Sequence, residues 1–200
     1  MGACRVRVVL LDLDGTLIDT MDLYTAEASR IISEATGATT GEAERLYRAT
    51  AGMPFRDQLR LAGAREDLIE YYAGRFEEWK RRLLKSIEVP GRAIAVVEEL
   101  RSMGLKVYVS TNNECRVIQG LLPPAFDGVL CNDPEKGMRK GRPHLEEVLR
   151  REGVEPCQVL FIGDSDYDIK TYKELGVKVL KTRGLWRDAE IIDKIHVYLE

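Results

Sequence analysis

Asparagine and glutamine are nearly missing from this 200-residue chain, with three of each: Asn112, Asn113, Asn132, Gln58, Gln119 and Gln158. Scarcity of these thermolabile amides beside 32% charged residues resembles the composition of thermophile proteins. Only four cysteines occur, Cys4, Cys115, Cys131 and Cys157. They lack the short paired spacings of a zinc site and the density of a secreted disulfide scaffold, so reduced thiols and a cytoplasmic setting are expected. No run approaches the roughly 20 apolar residues of a membrane helix, and Val8–Leu11 is stopped at once by Asp12, so neither a span nor a signal peptide is expected. Charge of one sign is also lacking. Thirty basic side chains face thirty-three acidic ones for a formal charge of -3, which excludes a global basic field for nucleic acid. Repeats and low-complexity tracts are absent.

What remains is a chain with 44% hydrophobic residues, long enough to bury a core without staples. Short Val- and Leu-rich runs at 5–13, 105–109, 128–131, 158–162 and 177–180 read as buried strands of a parallel sheet. Between them lie helical patterns at 93–103, 145–152 and 168–175, each followed by a glycine where a helix C-terminus favours positive φ. This alternation predicts an α/β fold with a doubly wound, Rossmann-like parallel sheet. Residues 18–88 break the rhythm and predict four helices, at 23–35, 41–51, 55–62 and 65–85. The expected organisation is a core of residues 1–17 and 89–200 with a small all-helical insert at 18–88. Tyr71, Tyr72, Phe76, Trp79 and Leu83 recur at helical spacing and are expected to pack the insert's own core.

Chemistry concentrates at strand ends. In Asp12-Leu13-Asp14-Gly15-Thr16, two carboxylates two residues apart share one side of a strand terminus, where open α/β sheets bind ligands. Such close carboxylates repel unless a cation or shared proton separates them, and hard oxygen donors point to Mg2+. Gly163-Asp164-Ser165-Asp166-Tyr167-Asp168 adds acidic oxygens at the same sheet edge. Ser110-Thr111-Asn112-Asn113 supplies hydroxyl and amide donors suited to phosphoryl oxygens. Lys136, Arg139, Lys140 and Arg142 form a basic cluster before Pro143. His144 lies beside this loop without the spacing of a metal ligand and is expected to be incidental.

In this order, the four clusters resemble the four motifs of the haloacid dehalogenase superfamily, and the helical insert just after the first resembles its helical-cap subclass, which includes phosphoglycolate phosphatase and phosphosugar mutases. The resemblance implies Asp12 as nucleophile, Asp14 as general acid and base, and Thr111, rather than Ser110, as the phosphoryl-holding hydroxyl. It implies Mg2+ on the Asp12 carboxylate, the Asp14 carbonyl and Asp164, with Asp168 in support. Gly15, Thr16 and Asn112 are expected to line the substrate site. The family usually has a lysine directly before a proline; here Arg142 precedes Pro143, so Arg142 is the expected catalytic cation and Lys140 the alternative.

The second aspartate of the first motif argues for phosphoryl transfer over dehalogenation, and the lack of histidine in residues 19–26 for hydrolysis over mutase action. A receiver-like signalling protein is a further alternative, distinguished by releasing at most one phosphate per chain. A closing helical cap implies a small phosphorylated metabolite, phosphoglycolate or a sugar phosphate, with Arg56 in the loop 52–58 placed to meet a second anionic group.

Overall fold

The computed structural model describes residues 4–118 and 120–199. Five strands, β1 (Val8–Asp12), β2 (Lys106–Glu114), β3 (Gly128–Asn132), β4 (Val159–Gly163) and β5 (Lys178–Lys181), form one parallel sheet in the order β3-β2-β1-β4-β5. Every residue of β1 and β4 is buried, as expected of strands covered on both faces. Helices α1 (Met21–Thr36), α2 (Thr40–Ala49), α3 (Phe55–Leu61) and α4 (Glu66–Leu84) follow β1. The helices that alternate with the later strands are α5 (Gly91–Ser102), α6 (Cys115–Ile118), α7 (Arg142–Glu152), α8 (Asp166–Glu174) and α9 (Ile191–His196).

The chain divides into two compact units, residues 1–19 with 87–200, and 20–86. In the first, Val8, Leu10, Tyr108, Leu130, Val159 and Phe161 from the sheet pack with Leu145, Val148 and Tyr172 from α7 and α8. β1 lies in the middle of the strand order, between β2 and β4, where successive connections depart in opposite directions. That arrangement opens a crevice at the carboxyl ends of the central strands. Asp12 is in register with Ser110, and Leu11 with Ile162, so the ends of β1 and β4 lie at nearly one level beside Ser110 of β2, which continues to Glu114.

The helical unit has its own core, in which Tyr24, Ala28, Ile31 and Ile32 of α1 meet Ala43 and Tyr47 of α2, Phe55 and Leu59 of α3, and Ile69 and Phe76 of α4. Tyr72, Trp79 and Leu83 pack against it as expected. Tyr71 does not: it is 59% exposed, edge-on to Tyr72, with the Arg75 guanidinium over its ring. One turn of α4 thus presents its apolar stripe one residue later than the aromatic spacing alone implies.

The cysteines overturn the expectation of reduced thiols. Cys4 is joined to Cys157 and Cys115 to Cys131, and none is free. The partners stand 153 and 16 residues apart in the chain, so the pairing is set by the sheet and invisible in local spacing. Cys4 precedes β1 and Cys157 precedes β4, and these two strands are neighbours; Cys115 follows β2 and Cys131 lies in its neighbour β3.

Denatured without reductant, the protein should therefore show no thiol to a thiol reagent. Because the first bridge closes most of the chain, Cys157→Ser should lower the free energy of unfolding by roughly 3 to 5 kcal/mol. Appearance of all four thiols in the unreduced protein would overturn the pairing.

Candidate active site

β1 delivers Asp12 to the crevice 5% exposed, and the Leu13 amide donates to its Oδ1 at 2.7 Å. Beyond it the chain turns tightly, with Gly15 N–H donating to the Ile18 carbonyl and Leu17 and Ile18 both donating to Leu13. Thr16 is 0% exposed and its hydroxyl has no hydrogen-bond partner among the described residues, while its carbonyl accepts from Leu185 N–H. The turn therefore buries both Thr16 and Gly15. The Phe161 ring, two residues earlier on the same strand, requires a glycine at 163, where a Cβ would lie 2.7 Å from that ring, whereas Asp12 Cβ on β1 would be in ordinary contact at 3.5 Å.

β4 leads through Gly163 to Asp164, and Ser165 caps α8 by accepting from the Asp168 amide at 3.4 Å. The cap turns the first turn of α8 so that Asp168 is 5% exposed, whereas Asp166 faces solvent and pairs with Lys181. On β2, alternation sends Ser110 to one side and Thr111 with Asn113 to the other. Thr111 Oγ1 accepts from both the backbone N–H and the Nδ2 of Asn113 at 3.1 Å, and Asn113 Nδ2 also donates to Asp14 Oδ2 at 2.7 Å. Asn113, a member of the expected donor cluster from which only Asn112 was singled out, is thus the asparagine that meets Asp14 and Thr111. Its signal was the i, i+2 relation to Thr111, obscured because the strand continues to Glu114, past the end of the apolar run. Asn112 is exposed, and its Oδ1 accepts from Lys140 N–H at 3.2 Å.

The basic residue at the centre is Lys140, where the sequence reading preferred Arg142. Lys140 Nζ stands 2.6 Å from Asp12 Oδ1 and 2.6 Å from Asp168 Oδ2, with its side chain 6% exposed. The ammonium also lies 5.6 Å from the centroid of the Phe161 ring. Arg142 is the first residue of α7, 70% exposed and paired with Glu146 at 3.8 Å. The reason is local. Gly141, the N-cap of α7, takes φ 101, so the chain reverses there, leaving Lys140 inside and sending Arg142 outward on the helix. Pro143 then serves as a helix-starting proline.

The Lys140 ammonium pairs with two of the four carboxylates gathered here. Burial pushes the Asp12 carboxyl well above its ordinary range, with Asp168 and Asp164 adding to the rise and Lys140 opposing it. Burial likewise raises Asp164 to about 6, against Lys140 and with Asp14 and Asp168. For Lys140, burial alone would favour the neutral amine, but Asp12 and Asp168 together outweigh it and raise the pKa, so the ammonium persists. Among the described residues no three His, Cys, Asp or Glu side chains form a ready-made metal cage. The expected donors are fewer, the Asp12 and Asp164 carboxylates plus the Asp14 carbonyl. These hard oxygens, in a cluster with too little positive charge to hold its carboxylates ionised, fit a divalent cation such as Mg2+.

Residues 9–182 match the family model described as haloacid dehalogenase-like hydrolase. The chain belongs to that family. Its enzyme class is that of the haloacid dehalogenase-type phosphatases, hydrolases of phosphorylated compounds. A phosphorylated carbohydrates phosphatase from Thermotoga maritima is 30% identical over 186 residues, covering 86% of this chain and 83% of the relative. Phosphoglycolate phosphatase 1 from Pseudomonas aeruginosa is 28% identical over 188 residues, covering 86% and 67%. A haloacid dehalogenase-like family hydrolase from Streptococcus pneumoniae shares the fold, with a TM-score of 0.73, 20% identity, and 98% and 99% of the two chains covered. No described helix is long and apolar enough to cross a membrane.

Elsewhere in this haloacid dehalogenase-type core, His144 is not incidental. It is 0% exposed, with Nδ1 2.9 Å from Ser110 Oγ and Nε2 3.2 Å from the Cys131 carbonyl. Burial, with the charge of Lys140 in support, lowers its pKa to about 4. The unfolded chain, whose imidazole titrates near 6.5, then binds more protons between those values. Stability carried by the neutral imidazole is present above pH 6.5 and is lost as pH falls toward 4, by on the order of 3 kcal/mol. Urea unfolding across this range should show a larger loss for the wild type than for His144→Gln. Equal losses would show that His144 is not held neutral.

Proposed function

We propose that this chain hydrolyses small phosphate monoesters through an aspartyl-phosphate on Asp12. The observation that carries the reading is the Lys140 ammonium held at 2.6 Å from both Asp12 and Asp168 at the crevice where the sheet order reverses. A cation so placed favours the ionised, nucleophilic form of Asp12 against its burial and offsets the charge of an incoming phosphoryl group.

In the first half-reaction an Asp12 carboxylate oxygen attacks phosphorus, the ester P–O bond breaks, and Asp14 donates a proton to the departing alkoxide. In the second, Asp14 as carboxylate takes a proton from water, the water oxygen attacks phosphorus, and the bond to Asp12 breaks to release phosphate. Asn113, donating to Asp14 Oδ2, orients the carboxyl for both transfers. The Thr111 hydroxyl, which accepts twice from Asn113, has its own proton available for a phosphoryl oxygen. Mg2+, held by Asp12, Asp164 and the Asp14 carbonyl with Asp168 near by, would neutralise phosphoryl charge.

Hydrolysis is preferred to mutase action because the chain's two histidines, His144 and His196, both lie outside the helical insert, leaving it without the histidine on which the family's mutases typically rely. The names of the Thermotoga and Pseudomonas relatives support a sugar phosphate or phosphoglycolate as substrate. Arg56, 55% exposed on α3 and paired with Glu70 at 3.4 Å, is proposed to read a second anionic group. A cytoplasmic location is also proposed. The two disulfides accord with it if the source is a hyperthermophile, whose intracellular proteins retain such bonds.

With p-nitrophenyl phosphate and a panel of phosphorylated metabolites, chelation should abolish phosphate release and Mg2+ should restore it. Asp12→Asn should lower turnover by roughly 10⁴-fold or more. Lys140→Met should cost about 10² to 10³ in kcat, as for loss of a charge-stabilising group, while Arg142→Ala leaves turnover unchanged. Should Arg142→Ala prove the damaging change and Lys140→Met the silent one, the assignment of the cation is wrong.

A further inference from the structure

The role given to Lys140 raises a question of geometry: a long, flexible side chain ends between two carboxylates, so something must hold the loop from which it springs. Two successive backbone groups are anchored. Lys140 N–H donates to Asn112 Oδ1 at 3.2 Å, and Gly141 N–H donates to the Tyr172 hydroxyl at 3.1 Å. Tyr172 belongs to α8, and its hydroxyl lies 2.9 Å from Ser110 Oγ. Ser110 continues to His144, and His144 to the Cys131 carbonyl of β3. All three side chains, Tyr172, Ser110 and His144, are 0% exposed.

Counting protons fixes the direction of every bond. A carbonyl only accepts, so His144 Nε2 carries the hydrogen toward Cys131. The imidazole is neutral, so Nδ1 is a bare acceptor and Ser110 must donate to it. Ser110 has one proton, already committed, so the phenol of Tyr172 donates to Ser110 Oγ. Tyr172 therefore meets the Gly141 N–H with a lone pair. Each bond in the chain has one proton, and none of its donors is left over in a space closed to water. Ser110 and His144 have the composition of a nucleophile and its base, but the hydroxyl proton is spent and no substrate can reach either group. The pair is a structural relay.

We propose that Tyr172, Ser110 and His144 are positioning residues for Lys140, their directed hydrogen-bond chain fixing the Gly141 peptide so that the preceding ammonium bridges Asp12 and Asp168. The inference rests on the role proposed for Lys140. The chain joins β3, α7, β2 and α8 to the loop at 140–141, and β2 and α8 are also the elements that carry Thr111 and Asp168. Phenylalanine at 172 would keep the ring that stacks on Phe161 at 4.0 Å while removing only the hydroxyl.

The experiment combines kinetics with nitrogen NMR on the full chain. With p-nitrophenyl phosphate and Mg2+, Tyr172→Phe and His144→Leu should lower kcat by about 10- to 100-fold with KM nearly unchanged, the range for a misplaced catalytic group. His144→Asn, whose side-chain oxygen can still accept from Ser110, should recover most of that loss. Each variant is assayed where its unfolding curve shows it fully folded, so a loss of stability alone leaves kcat intact and overturns the proposal. NMR of the wild type, which has only two histidines to resolve, should find His144 as the neutral Nε2–H tautomer at pH 7. The other tautomer, or an imidazolium, overturns the proposal even if the variants fail to fold. A Lys140→Met protein with wild-type turnover removes the premise. Loss of turnover in Lys140→Met beside wild-type kcat in Tyr172→Phe instead keeps the role of Lys140 and rejects the relay.

Discussion

The site depends on one buried cation. Lys140 brings a single positive charge into a cluster of aspartates from two separate segments, and the carboxylates would otherwise repel one another and take up protons. Neither partner of such a pair is comfortable in a low-dielectric crevice: burial disfavours the charged form of both. What makes the arrangement tenable is that the opposing charges meet at hydrogen-bond distance on two sides of the same ammonium. The remaining acidic excess is the part of the cluster's charge that a divalent cation would offset.

Around that pair the sheet acts as a positioning frame. Parallel strands end together, so residues distant in the chain arrive at one edge: Asp12 from β1, Thr111 and Asn113 from β2, Asp164 just past β4. The opposite side of β2 takes part as well. Ser110 faces the packed interior, where it meets α7 and α8 through His144 and Tyr172. Alternation along one strand thus separates the groups proposed to face the reaction from those proposed to support the loop opposite. The disulfides reinforce the same neighbours, each joining segments next to adjacent strands.

The first and last acidic clusters were legible because each is a short polar run placed directly after an apolar strand, a pattern that local composition reveals. Strand and helix positions followed for the same reason, since burial on both faces leaves continuous Val and Leu runs and glycines mark helix ends. The basic residue was not legible in the same way. Lys140 and Arg142 are two residues apart with equal charge, and only the backbone reversal at Gly141 decides which one turns inward. His144 misled in a similar manner: nothing next to it in the chain announces Ser110, 34 residues earlier, or Tyr172 on a later helix.

By itself, then, the sequence determined the alternating α/β architecture, the helical insert and the strand-end carboxylates, because each is written in residues that are neighbours or separated by a helical or strand period. Tertiary structure alone decided which cation meets Asp12, that Thr16 is buried, that Asn113 holds Asp14, and how four cysteines pair. Those outcomes depend on distances between segments far apart in the chain, and such distances exist only once the strands have taken their order in the sheet.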